Sequence, residues 1–373
     1  KHLDAGFLTS FPSRKPAEAG IKAALWGTVW LCAVCLCVAV PIGVLTAVFL
    51  EEYRPRHRLA KRAHAFVSVN ITNLAGVPSI VYGILGLTVF VRMFGLFGNP
   101  NISAYDEMVR ASLRSGEVVI GMLVDETDEA LTIASPVRGE VTLAKDQVAR
   151  RRTVYVREHR FRLDDGTLMT GELRGSEKGL ITLAAAGDSE HVFPATRVAQ
   201  HTTKNVLQLG DPESFFYVRL PLGGSVLAGG LTLSLVILPI VIIAAREALR
   251  AVPPSLREGA LALGATRWQT IWRTVLPASI PGIMTGSILA VSRAIGEAAP
   301  LLVIGGFLFI LFTPKNLMDD FAAMPLQIFN WASRPQTEFH EVAAAGILVL
   351  LAVLLVFNGL AIVLRHRYSR PLQ

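Results

Sequence analysis

The sequence predicts an all-α polytopic membrane protein that carries an inserted β-rich domain. Three observations predict it. Uncharged apolar runs recur at lengths that span a bilayer. One internal segment, 101–215, carries 14 Lys/Arg and 18 Asp/Glu, a net of −4, while the remainder carries +11. A polar stretch, Ser255–Pro277, is spelled as two short helices and stands between two apolar runs. The chain is 52% hydrophobic and 17% charged, above the roughly 45–50% apolar share of a soluble domain.

Residues 1–20 are polar, contain Pro12 and Pro16, and read as a loop. They lack the basic start, apolar core and cleavage site of a signal peptide. Ala23–Leu50 is the first uncharged run and holds Cys32, Cys35 and Cys37, which read as small hydrophobes rather than a metal or redox motif. Glu51–Arg62 is a basic loop. A second run, Ala63–Val91, is broken by Gly76-Val-Pro78, where the missing proline N–H predicts a kink. Such a break is tolerated where it lines a cavity or packs on protein.

The segment 101–215 repeats itself at an offset of 50. Leu113-Arg-Ser-Gly116 matches Leu163-Asp-Asp-Gly166, Leu131-Thr-Ile133 matches Ile181-Thr-Leu183, and Val148-Ala-Arg150 matches Val198-Ala-Gln200. Short alternating runs between Gly/Asp turns predict two tandem β units, about 113–150 and 163–200, of SH3-like size and packed together. Arg150–Arg152 reads as a solvated connector.

The third run is Leu220–Ala245, ended by Arg246 and Glu247, which read as an interfacial anchor. In Ser255–Pro277, Ser255 with Glu258 spells one capping box and Thr266 with Gln269 a second, with Gly264 as the turn between. Gly259, Ala260 and Ala262 are small enough to let a partner backbone approach, and Pro277 is expected to end the second helix. The fourth run follows Pro277 and reaches about Phe312, interrupted by Arg293 and Glu297; the fifth is Val342–Leu364. Loops 51–62, 246–273 and 365–370 hold five, five and three Lys/Arg, so the positive-inside rule puts them in the cytoplasm and the insert outside.

Arg293 and Glu297 lie four apart, on one helix face. Charge at membrane depth marks a functional face or an internal pair. The residues leave two readings open: Arg293 facing an anion pathway with Glu297 orienting it, or a structural ion pair. No G-x-x-x-x-G-K-S/T loop, metal-ligand spacing or nucleic-acid patch stands out.

Ser255–Pro277 resembles the EAA loop of ABC-transporter permeases through Glu258, Ala260, Gly264, Ile271, Leu276 and Pro277, with Gly259 in place of the usual alanine. Three further segments resemble phosphate permeases: Asn73-Leu-Ala-Gly76-Val-Pro78-Ser79, Ser292–Pro300 and Leu326–Pro335. Over 21–97 and 217–368, two permease parts around the insert, the chain is similar to the A-type permease subunits of Pst phosphate importers. The resemblance implies a type I ABC importer permease in the bacterial cytoplasmic membrane, with five spans here and a first span missing. It implies coupling to a partner ATPase, which binds ATP and Mg, through Ser255, Glu258, Gly259, Ala260, Gly264 and Pro277. It also implies a C-type sister permease, an extracytoplasmic phosphate-binding protein, and no cofactor in this chain. The candidate phosphate pathway comprises Arg293, Glu297, Asn73, Gly76, Pro78 and Ser79. A permease for another oxyanion, or a membrane-anchored sensor acting through the insert, are the alternatives.

Overall fold

The computed structural model describes residues 4–53, 57–101, 105–177, 179–184, 190–210, 212, 214–306 and 309–368. The basic residues Arg54, Arg56 and Arg370 lie outside them. The chain divides into two compact units, residues 1–94 with 224–373, and residues 95–223.

The first unit is helical. A short helix, α1 (Ala5–Thr9), capped by Asp4, interrupts the expected N-terminal loop. Helix α2 (Lys22–Glu52) follows, then α3 (Arg58–Leu74) and α4 (Ser79–Gly86), which runs on through a π turn at Leu87–Val91. The axes bend by 108° at the break between α3 and α4, the kink that Gly76-Val-Pro78 predicts. Helix α5 (Val226–Arg250) starts later than the apolar run, because Pro221 and two glycines precede Ser225, whose hydroxyl accepts from the Ala228 N–H. Helices α6 (Pro254–Ala262) and α7 (Arg267–Thr270) occupy the polar stretch.

Helix α8 (Leu276–Gly296) ends at Gly296, well short of Phe312; Glu297 is extended, and only the short α9 (Ala299–Val303) follows before Gly305 turns left-handed. Pro300 and the glycine pair at 305–306 break the fourth apolar run. Helices α10 (Met324–Ala332) and α11 (Thr337–Tyr368) complete the unit. Among the described residues, α2, α5, Arg267–Gly296 and α11 are long and apolar enough to cross a membrane; the bent α3–α4 pair makes a fifth if it is one span.

Helix α5 is the hub. Its faces pack on α2, α3, α4 and α8, and its contact with α8 is a seam of small residues. A Cβ added at Gly286 would lie 2.2 Å from the Ala244 Cβ, and one at Gly282 would lie 2.7 Å from the Ala248 Cβ. Helix backbones approach this closely only where side chains are nearly absent. On the other side of α8, Ser292 donates to Asn358 Oδ1 of α11 at 2.6 Å and Arg365 donates to Thr285 at 3.1 Å.

The second unit is antiparallel β. Strands β1 (Asp106–Leu113), β2 (Val118–Glu126), β3 (Ala130–Ser135), β4 (Gly139–Ala144), β5 (Val148–Leu163), β6 (Leu168–Glu177), β7 (Leu180–Ala184), β8 (Glu190–Pro194) and β9 (Val198–Asn205) form one sheet. Strand β5 has 16 residues and joins the halves. Its first part pairs with β1, and its second part pairs with β6 and β9. The halves therefore share one strand, in the orders β5-β1-β2-β3-β4 and β9-β5-β6-β7-β8. A further pair, β10 (Leu207–Leu209) with β11 (Val218–Leu220), carries the unit to residue 223. Each half has an apolar core, one with Val109, Leu131, Ile133 and Leu143, the other with Phe161, Ile181, Leu183 and Phe193, and Met108, Val154 and Val156 form a third cluster.

Arg150–Arg152 is not a connector. It lies inside β5, where alternation sends Arg151 to an ion pair with Glu126 and puts Arg150 and Arg152 on the opposite face.

A polar chain crosses this sheet. His159 is 1% exposed; its Nε2 lies 3.2 Å from Asp106 Oδ2 and its Nδ1 lies 3.1 Å from His201 Nε2. His201 stacks on Phe161 with ring centroids 4.3 Å apart. Burial first, and then the neighbouring His159, push the His201 imidazolium down to about 4. The unfolded chain takes up this proton near the ordinary value of about 6.5, so stability is present above that pH and is lost as pH falls from it toward 4. Between pH 7 and 5 the insert is expected to lose about 2 kcal/mol from this group. His201→Phe, which keeps the stack, is expected to remove that dependence. Amide exchange of β5 and β9, corrected for its intrinsic pH dependence, measures both.

Candidate functional site

The polar stretch between α5 and α8 forms two helices at a sharp turn. The Ser255–Glu258 capping box is not made. Helix α6 begins at Pro254, and its N-cap is Pro253, with no side-chain cap. A proline at the first helical position needs no N–H partner and has the helical φ already, so the helix starts ahead of Ser255. The second box is made: the Thr266 hydroxyl accepts from the Gln269 N–H at 3.3 Å, and Gln269 Oε1 accepts from the Thr266 N–H at 2.9 Å. Between the helices Gly264 has φ +85. Ala265 N–H reaches Ala260 O and Gly264 N–H reaches Leu261 O, the Schellman arrangement that satisfies the last carbonyls of α6.

Pro277 does not end a helix. The chain runs helically from Arg267 to Gly296, through a π turn at Ile271–Val275 in which the Leu276 N–H reaches Ile271 O. The widened turn makes room for the proline ring one residue later. One helix of 30 residues therefore leads from the polar turn to the Arg293–Glu297 pair, a distance of about 45 Å.

Among the described residues nothing covers the outer face of the turn. Ser255, Glu258 and Gly259 are exposed, and a Cβ at Gly259 would meet nothing within 4 Å. Leu263 is 92% exposed and Trp268 59%, with the Trp272 ring tilted against Trp268 at a centroid distance of 5.1 Å. Exposed apolar groups on an otherwise polar loop mark a contact surface.

The inner face is anchored. Leu256 packs on the cluster of Val48, Leu249, Val252, Ile271 and Val275. The Arg257 guanidinium donates to Glu52 Oε1 at 2.9 and 3.2 Å, to Val252 O at 2.7 Å and to Leu249 O at 2.7 Å. It thus binds the end of α2 and the C-terminal carbonyls of α5 at once. Beside it Glu51, 7% exposed, lies 3.0 Å from Arg250 and 3.6 Å from Arg246. Arg246 also donates to Ser68 of α3 at 2.7 Å. Arg246 is the inward member of an ion cluster with Glu51 and Arg250, while Glu247 stays exposed and pairs with Arg250. A cavity of about 330 Å³ opens here, lined by Glu51, Glu52, Arg257, Leu261, Arg267 and Ile271. The sequence reading missed Glu51, Glu52 and Arg257. The one signal for them is a Glu-Glu pair at the exact end of an apolar run.

At the far end of α8, Arg293 Nε donates to Glu297 Oε1 at 3.1 Å. The Arg293 side chain is 45% exposed and that of Glu297 15%. The terminal guanidinium nitrogens have no acceptor among the described residues. Helix α9 begins two residues after Glu297 and packs on α4, where a Cβ at Gly83 would lie 2.8 Å from the Pro300 Cα. Tyr82 of α4 donates to Leu74 O across the break at 2.7 Å. Asn73, Gly76 and Pro78 are exposed and Ser79 is half-buried. Among the described residues, Asn73, Gly76 and Pro78 are therefore largely uncovered. The structure brings α4 beside α9 at the Arg293–Glu297 end and leaves the polar turn at the opposite end of α8.

The family of binding-protein-dependent transport system inner membrane components matches residues 166–370, more than half of the chain and all of the α5–α8 lever. The chain belongs to that family. It is a multi-pass membrane permease by that membership and by its apolar helices. The permease chain is 41% identical over 134 residues to a phosphate transport system permease protein PstA of Yersinia pestis, covering 36% of this chain and 45% of the relative. It is 36% identical over 137 residues to a probable phosphate transport system permease protein PstA of Methanocaldococcus jannaschii, covering 36% and 48%. Phosphate transport system permease protein PstA 1 of Mycobacterium tuberculosis is 35% identical over 158 residues, covering 42% and 51%. The chain spans about half the length of the curated relatives it matches.

Proposed function

We propose that this permease chain is the A-type transmembrane subunit of an ATP-driven importer of inorganic phosphate. The observation that carries the mechanism is the single helix Arg267–Gly296, with a partner-facing turn at one end and a charged pair at the other. The relatives' names carry the substrate. A partner ATPase docks on the exposed turn around Glu258, Gly259 and Leu263, and hydrolyses ATP there. Its closure moves α6, and Arg257 passes the movement to α2 and α5. Helix α8 carries it to the opposite end, where the arrangement of Arg293, α4 and α9 changes. A C-type sister permease and an extracytoplasmic phosphate-binding protein complete the importer.

Arg293 fits both a structural and a substrate role. Glu297 holds Nε and so fixes the guanidinium plane, while the terminal nitrogens remain for an oxyanion. Uptake of labelled phosphate by vesicles containing the assembled importer tests the proposal, with sulfate and molybdate as competitors. Arg293→Gln is expected to lower uptake at least tenfold with assembly intact, and Arg293→Lys to retain a part. Full recovery in Arg293→Gln/Glu297→Gln would show a structural ion pair and overturn the substrate role. Preference for sulfate or molybdate would overturn phosphate.

The five-span topology places the insert outside and the 51–62 loop in the cytoplasm. It rests on the basic loops and on taking α3–α4 as one span. Single cysteines at Ser176 and His57, both exposed, in a background without Cys32, Cys35 and Cys37, are expected to react with an impermeant reagent from opposite sides. Reaction of both from one side would exclude that topology. The insert is a tandem duplication. Positions fifty apart support it: Leu131 and Ile181, Ile133 and Leu183, and Leu143 and Phe193 fill equivalent places in the two cores, and Gly116 and Gly166 make the same left-handed turn.

A further inference from the structure

A cavity of about 500 Å³ opens on the insert, between β1, β5 and the segment from β9 to β10. Its polar lining is Arg110, Ser112, Arg150, Arg152, Asn205 and Gln208. The register explains the convergence of charge. Arg110 stands directly opposite Arg152, and Ser112 opposite Arg150, so three guanidinium groups rise from one face of two neighbouring strands. Like charges in directly opposed positions weaken a sheet. On the other face of β5, Arg151 meets Glu126; among the described residues Arg110 and Arg150 have no such carboxylate. Arg152 donates to Gly210 O at 2.8 Å, which fixes its direction.

A second observation points to a ligand. Asn205 Oδ1 and Gln208 Oε1 are buried and have no hydrogen-bond partner among the described residues. Gln208 is held in place by its Nε2, which donates to Thr153 O at 2.8 Å. Buried polar atoms are normally paired, and leaving one unmade is costly. Both amides line the same cavity as the arginines. Guanidinium forks suit a tetrahedral oxyanion; an unpaired amide oxygen suits a hydroxyl donor. The volume is that of a small-molecule site, larger than a bare oxyanion fills, and Val154 and Leu207 add apolar wall.

We propose that this cavity binds a phosphate ester with a hydroxylated body, its phosphate on Arg110, Arg150 and Arg152 and its hydroxyls on Asn205 and Gln208. The ester is either a soluble metabolite or a phospholipid headgroup, since both present the same group. The site is built wholly from residues of the insert and does not depend on the importer assignment.

Amide exchange followed peptide by peptide tests it on the full chain in neutral-lipid nanodiscs. Glycerol 3-phosphate is expected to slow exchange in β1, in the first half of β5 and in 205–209 at least threefold. Sodium chloride at the same ionic strength is expected to leave it unchanged. Arg110→Gln/Arg150→Gln is expected to remove the effect while exchanging more slowly than the native chain without ester, because the like charges are gone. Arg110→Lys/Arg150→Lys keeps charge and fold but loses the fork, and is expected to need at least tenfold more ester. Protection in phosphatidylglycerol nanodiscs without added ester, abolished by the same variants, would identify the lipid as the source. No protection by either source, equal protection by inorganic phosphate, or undiminished protection in the lysine variant would overturn the proposal.

Discussion

Glu51→Ala is expected to destabilise the helical unit by about 3–5 kcal/mol, the range for removing one member of a buried ion pair. Glu51 is 7% exposed and faces Arg246, which is 11% exposed, at 3.6 Å, with Arg250 at 3.0 Å. Without the carboxylate, Arg246 keeps only the Ser68 hydroxyl as a side-chain partner among the described residues, and its charge stays inside the bundle. Arg250 is half-exposed and turns to Glu247 or water at little cost. The control is Glu247→Ala, whose side chain is 64% exposed and which is expected to cost less than about 1 kcal/mol. A second control, Glu51→Leu/Arg246→Leu, removes both charges and is expected to recover most of the loss, because apolar packing replaces an ion pair with little penalty. Unfolding midpoints in a denaturing-detergent titration order the variants. If Glu51→Ala and Glu247→Ala shift the midpoint equally, the ion cluster does not hold the ends of α2, α3 and α5 together.

This cluster also shows where reading the sequence stops. The kink at Pro78, the turn at Gly264 and the Thr266–Gln269 box were legible because each is encoded within a few neighbouring residues, whereas the fourth apolar run did not show that its helix stops at Gly296. Two local spellings failed for local reasons. Pro254 started α6 before Ser255 could cap it, and a π turn let Pro277 sit inside a helix it was expected to end. The pairs Glu51–Arg246 and Glu52–Arg257 join residues about two hundred positions apart, and no periodicity encodes such a meeting. Arg150 and Arg152 were visible as charge but not as a site. Their meaning depends on the register that sets Arg152 against Arg110, which only the folded sheet fixes. The Arg293–Glu297 pair was readable from spacing alone, four residues apart on one helix, yet its exposure and free nitrogens were not.

Arg257→Ala is expected to lower uptake per ATP hydrolysed at least tenfold in the assembled importer, with assembly preserved. The guanidinium joins three elements through four hydrogen bonds, two to Glu52 and one each to the Leu249 and Val252 carbonyls. Bonds to a charged group contribute about 1.5–3 kcal/mol each, so losing them releases α6 from the ends of α2 and α5. The apolar seat of Leu256 remains, and the turn therefore folds but no longer moves the bundle. Glu258→Arg tests the other face. Glu258 is exposed, with no hydrogen bond or ion pair among the described residues, and lies beyond the first turn of α6, so its replacement is expected to leave stability unchanged and to weaken ATPase binding by reversing the charge on the docking face. Gly264→Val lies between them. Its added Cβ meets nothing within 4 Å, so the penalty is the left-handed backbone alone, roughly 1–2 kcal/mol. Transport, ATPase activity and co-purification of the ATPase separate the three. Arg257→Ala should retain binding and hydrolysis while losing transport, and Glu258→Arg should lose binding and transport together. Normal coupling in Arg257→Ala would mean that α6 transmits movement through its apolar seat alone, and the anchoring role of Arg257 would fall.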